Sequence, residues 1–159
     1  FDVIGYACTS ASSVIGEDRV ASLITSARPG VRPTNPATAA KAGLRALGIQ
    51  RIAVLTPYNI AVTGDIVKMF EAGGFDISGV TTFDEEVEAN EAAVVAGEGS
   101  DTEAVFISCT NLRCSSMIAA AEERLGKPVL SSNLSLLWHM LTLAEIETKE
   151  IEESRLLGL

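Results

Sequence analysis

Arg51-Ile52-Ala53-Val54-Leu55 is apolar from its second position on, and Thr56-Pro57-Tyr58-Asn59 breaks it at once. A strand with no polar alternation must be covered on both faces, as strands in parallel sheets are. Ile60 to Ala72 then has helical character and meets a Gly73-Gly74 stop. The same unit recurs along the chain. Phe1 to Ala7, Phe75 to Val80, Ala104 to Ser108 and Pro128 to Ser131 read as strands. Helices are expected over Glu17 to Ala27 (apolar at Val20, Leu23 and Ile24), over Ala37 to Leu47 after the start signal Thr34-Asn35-Pro36, over Asn111 to Leu125, and over Asn133 to Leu143 with Trp138. Arg28 to Pro33 reads as a loop, Asp84 to Ala96 as a segment with helical tendency, and the acidic tail after Glu145 as surface helix. Strands alternating with helices of about a dozen residues give βα units and an α/β fold with a mainly parallel sheet.

Such sheets hold ligands outside the carboxyl ends of their strands. Cys8, the stretch Thr56 to Tyr58, and Cys109 each fall at such an end. The two cysteines also share a context: Tyr6-Ala7-Cys8-Thr9-Ser10 and Ile107-Ser108-Cys109-Thr110-Asn111. A free thiol titrates near pH 8.5, and a helix N-terminus lowers that value while its N–H groups hold carboxylates. The hydroxyl and amide side chains that follow can add donors. Two such turns facing one cleft would place sulfur on both sides of a small anion. Two chemistries suit them. One thiolate removes a proton beside a carboxylate while the other thiol returns one, or one thiolate adds to an activated double bond while the other serves as acid.

The other features are background. The chain has three cysteines, an odd count that does not make a disulfide framework, so reduced thiols and a cytoplasmic setting are expected. There is no C-x-x-C, and His139 is the sole histidine, so neither a metal nor a cofactor is expected. His139 and Cys114 read as structural. Gly73-Gly74 lacks the companions of a phosphate loop. A net charge of −9 argues against nucleic acid and anionic membrane as partners, and no apolar run reaches the roughly 18 residues of a membrane span.

Taken together, these motifs resemble the aspartate/glutamate racemase superfamily, in the branch of maleate cis–trans isomerases, arylmalonate decarboxylases and ectoine-utilisation proteins. Pro33 to Ala39, Val54 to Tyr58, Phe106 to Arg113, and Gly126-Lys127-Pro128-Val129 through Ser132-Asn133 to Leu137-Trp138-His139 carry the resemblance beside Tyr6 to Ser10. It implies two similar Rossmann-like (flavodoxin-like) lobes with the active site between them, divided roughly as 1–34 with 110–145, 35–109, and a tail over 146–159. It implies Cys8 as nucleophile and Cys109 as proton donor. Thr9, Ser10, Thr56, Tyr58, Asn90, Thr110 and Asn111 would contact a small mono- or dicarboxylate, and the assembly would be a homodimer. Maleate-type isomerisation is the first expectation, because the decarboxylase branch needs only the second thiol. The alternatives are racemisation of an amino-acid or hydantoin-type substrate, a step in ectoine breakdown, arylmalonate decarboxylation, or a non-catalytic carboxylate-binding module. The family also carries a strand before the position of Phe1, with another substrate-binding asparagine, and a longer stretch after Asn90. An additional N-terminal segment is therefore expected.

Overall fold

The computed structural model describes residues 1–82, 95–148 and 154–159. The elements run β1 (Val3–Gly5), α1 (Thr9–Ile15), α2 (Glu17–Ala27), β2 (Arg32–Thr34), α3 (Pro36–Ala46), β3 (Arg51–Thr56), α4 (Ile60–Ala72), β4 (Asp76–Thr82), β5 (Ala104–Ile107), α5 (Ser115–Leu125), β6 (Val129–Ser131) and α6 (Ser132–Leu143). Every strand pairing among them is parallel. β1 and β2 form one two-stranded sheet, and the other four form a sheet in the order β4-β3-β5-β6.

The larger sheet follows from the apolar runs. Ile52 to Thr56 and all of β5 and β6 are buried. Their side chains meet Ile66 and Phe70 of α4 and Ile118 of α5 in one core. Phe70 packs edge-on against Phe106 at 4.9 Å between ring centroids and against Phe75 at 6.1 Å. Strand β6 lies in this sheet beside β5, while α6, which follows it, packs against α3 and reaches β1 and β2. The chain thus passes from one sheet to the other at Ser131-Ser132.

Three local expectations are corrected. Arg32 and Pro33, expected in a loop, form a strand with Thr34. Its ladder bonds run from Arg32 N–H to Asp2 and from Tyr6 N–H to the Thr34 carbonyl, both 2.9 Å. They flank Pro33, whose missing N–H is therefore not needed. The helix expected from Asn111 begins only at Ser115, because Cys109 adopts a left-handed backbone with φ of 107° and turns the chain first. The tail is not a surface helix where it is described. Leu156 and Leu157 are buried, and Leu156 lies against Gly43 of α3, where an added Cβ would come within 3.0 Å of it. The Glu122 carboxylate draws this segment in by accepting the Arg155 N–H. Most of the Asp84 to Ala96 segment lies outside the described residues. No helix among those described is long and apolar enough to cross a membrane.

Candidate active site

The carboxyl ends of β1, β3 and β5 deliver the three candidate stretches, and the amino end of α6 ties two of them together. Cys8, in extended conformation, precedes the first residue of α1. Its carbonyl accepts from the Ser12 hydroxyl at 2.6 Å and the Ser12 N–H at 3.1 Å, and its sulfur lies 3.7 Å from the Ser10 hydroxyl. Cys109 sits in the left-handed turn after β5, and the Asn111 N–H donates to its sulfur at 3.4 Å. Both thiols are half-buried and free.

Hydrogen bonds join the two turns directly. The Thr110 hydroxyl donates to the Ala7 carbonyl at 3.1 Å. The Ser132 hydroxyl accepts from the Thr9 hydroxyl at 2.8 Å and from the Cys109 N–H at 3.0 Å. Asn133 donates from its amide to the Thr110 carbonyl at 3.0 Å. The doubled cysteine motif is therefore one connected structure, although its halves are a hundred residues apart.

Tyr58 enters this structure from β3. Its turn is held by the buried hydroxyls of Thr56 and Thr63, which are 2.7 Å apart. Thr56 also accepts the Tyr58 N–H at 3.4 Å, and Thr63 donates to the Tyr58 carbonyl at 3.3 Å. Burial pushes the Tyr58 phenol far above its ordinary range. The neighbouring Cys109 side chain raises it further, Ser10 acts in the opposite direction, and the Cys8 charge adds a smaller upward push. Tyr58 thus lies among Ser10, Cys8 and Cys109 as a neutral hydroxyl.

The structure assembles Cys8, Thr9, Ser10, Tyr58, Cys109, Thr110 and Asn111 in one place. It separates their tasks, however. The hydroxyls of Thr9, Thr56 and Thr110 donate or bond within the protein. Ser10, whose hydroxyl lies 3.7 Å from the Cys8 sulfur, Tyr58 and the exposed Asn111 are the remaining polar side chains of the set. Asn90 lies outside the described residues. Ser132, with its central bridging role, stands in the sequence only within the Ser132-Asn133 motif that carries the resemblance and is not among the site residues expected there; that motif was the available signal. Cys114 stands just before α5 and is buried, which pushes its thiol up. It does not share a helix with Cys109. His139 is half-buried, with its Nδ1 2.7 Å from the Thr34 hydroxyl, and burial holds its pKa below the ordinary value. Among the described residues no group of three His, Cys, Asp or Glu could hold a metal ion.

Fold and site together define an α/β protein of parallel sheets in which two cysteine turns, one from each sheet, are hydrogen-bonded to each other beside a tyrosine. The chain belongs to the arylmalonate decarboxylase family, whose model matches residues 2–157. It is 32% identical over 149 residues to the maleate isomerase of Nocardia farcinica, covering 82% of this chain and 59% of that protein. To the maleate isomerase of Geobacillus stearothermophilus it is 27% identical, covering 92% of this chain and 65% of that one. The chain therefore spans about three-fifths of the length of these relatives. A Cys-to-Ser variant of the Nocardia farcinica enzyme, solved with a covalently bound succinylcysteine intermediate, superposes with a TM-score of 0.88 at 28% identity over 98% of this chain and 71% of that one. A crystal structure of arylmalonate decarboxylase gives 0.85 at 28% identity, over 99% and 74%.

Proposed function

We propose that the protein is a cofactor-independent isomerase of a small cis-dicarboxylate, with maleate as the substrate and fumarate as the product. The observation that carries this reading is the Ser132 bridge, which brings the turns of Cys8 and Cys109 into one hydrogen-bonded unit. The maleate isomerases among its relatives, one of them captured with a succinylcysteine, support it further.

In the proposed reaction the Cys8 thiolate attacks one alkene carbon. A C–S bond forms, and the π pair moves onto the neighbouring carbon and its carboxylate. The former double bond is now single and rotates. Cys109 gives its proton to the carbanion, completing a succinyl thioether, and later takes that proton back. The returning pair re-forms the double bond in the trans sense and expels the Cys8 thiolate. Protons and electrons balance, so no redox partner is required. Ser10, Tyr58 and Asn111 hold the carboxylates through side chains, and Thr9 and Thr110 through backbone N–H groups. Thr56 acts by holding the Tyr58 turn. We assign Cys8 and Cys109 to different lobes, and a homodimer in the cytoplasm completes the proposal on the strength of family membership.

Conversion of maleate followed by proton NMR tests this reading. Cys8→Ala is expected to abolish turnover, and Cys109→Ser to reduce it severely. Full turnover by Cys8→Ala protein would eliminate the mechanism. If wild-type protein instead released carbon dioxide from an arylmalonate and left maleate untouched, decarboxylation would replace isomerisation.

A further inference from the structure

Two consecutive serines open α6, and they do different work. Ser131 caps the helix, its hydroxyl accepting the Leu134 N–H at 3.1 Å. Ser132 is therefore not needed for capping. Its side chain is buried, and its oxygen takes two hydrogen bonds that both come from the cysteine turns: the Thr9 hydroxyl and the Cys109 N–H. A hydroxyl oxygen has two acceptor positions, so both are filled.

The Cys109 end of this bridge is the demanding one. A φ of 107° is a conformation that non-glycine residues adopt only when their surroundings impose it. The Ser132 bond on the Cys109 N–H, with Asn133 on the carbonyl of the next residue, is such an imposition. The other end fixes the residue that follows Cys8. One oxygen atom thus ties the Cys109 backbone to the Thr9 side chain beside Cys8.

We propose that Ser132 is a positioning residue whose hydroxyl sets the placement of the Cys8 and Cys109 sulfurs relative to each other. This rests on the reading of those thiols as the reacting groups. Ser132 itself touches no substrate. Its loss leaves the carboxylate-binding side chains of Ser10, Tyr58 and Asn111 in place and spoils the geometry of addition and protonation, so the effect falls mainly on kcat.

The test compares wild type, Ser132→Ala and Ser132→Thr in two measurements. The first is steady-state turnover of maleate. Ser132→Ala is expected to lose on the order of 10- to 100-fold in kcat with KM within about threefold, and Ser132→Thr, which keeps the oxygen, to recover most of it. The second is the rate at which iodoacetamide labels Cys8 and Cys109 in substrate-free protein, read by peptide mass spectrometry. The ratio of the two rates is expected to change several-fold in Ser132→Ala and to return in Ser132→Thr. If wild type fails to convert maleate, the functional reading falls and the labelling ratio alone decides Ser132. If Ser132→Ala does not fold, Thr9→Val, which removes one donor from the bridge, is labelled in its place with the same expectation. A folded variant with a wild-type labelling ratio overturns the proposal, as does an Ser132→Ala protein with wild-type kcat.

Discussion

Replacing Tyr58 with Phe removes one hydroxyl and keeps the ring, and that hydroxyl has two separable expected effects, one on turnover from the proposed mechanism and one on stability from its burial. The phenol titrates far above its ordinary range, mainly because it is half-buried and then because Cys109 lies beside it. It is therefore a neutral donor at every pH at which the protein would work. A single donor aimed at developing negative charge is worth on the order of 100- to 1000-fold in kcat. Ser10 and Asn111 share the task, so the lower end, about 100-fold or roughly 2.7 kcal/mol, is expected for Tyr58→Phe. The second effect is on stability, and its sign follows from proton counting. An unfolded tyrosine ionises near pH 10, whereas folded Tyr58 stays protonated well beyond it. Above about pH 10 the unfolded state thus holds fewer protons than the folded state, and stability falls as pH rises. The slope from this one group reaches at most about 1.4 kcal/mol per pH unit, and partial solvent access lowers it. Below about pH 9 the group contributes no slope. Urea melts of wild type and Tyr58→Phe at about pH 9 and about pH 11, alongside NMR assays of maleate turnover, read both effects. Parallel loss of stability in the two proteins across that interval would refute the burial account. A kcat within about threefold of wild type would refute the donor role.

Two further outcomes follow from buried groups away from the thiols. His139 has its pKa held down by burial, so as pH falls through about 6.5 the unfolded state binds more protons and stability falls with acidification; His139→Gln should flatten that limb in denaturant melts, and an unchanged limb would show that other groups set it. Glu122 is buried and accepts the Val129 and Arg155 N–H groups, each at 2.9 Å, so Glu122→Ala orphans both and frees the tail that seats Leu156; a loss of about 3–5 kcal/mol is expected in urea unfolding, and a loss under about 1 kcal/mol would mean the tail does not depend on it.

The limits of reading this chain from residues alone are physical, and they differ between fold and site. β3 and α4 were legible almost to the residue, because the four-residue apolar run Ile52 to Leu55 and a Gly-Gly stop leave the backbone no competing choice. β2 was hidden by Pro33, which signals a loop unless a parallel partner happens to bond only its neighbours. The tail was hidden by its charge: an acidic stretch reads as solvated, and the burial of Leu156 depends on Glu122, which comes from a helix thirty residues earlier. At the site, the repeated cysteine context identified where chemistry could sit. It could not show which way each hydroxyl points. Thr9, Thr56 and Thr110 read as ligand contacts because they carry donors, yet each hydroxyl bonds inside the protein. Nor does any local pattern announce that Cys109 takes a left-handed backbone, since cysteine has no preference for it. That conformation is imposed from Ser132 and Asn133, at the end of the neighbouring strand β6. Residue type thus reveals which groups can react. Their mutual placement is decided by partners distant in sequence, and here that decision converges on a serine between a strand and a helix.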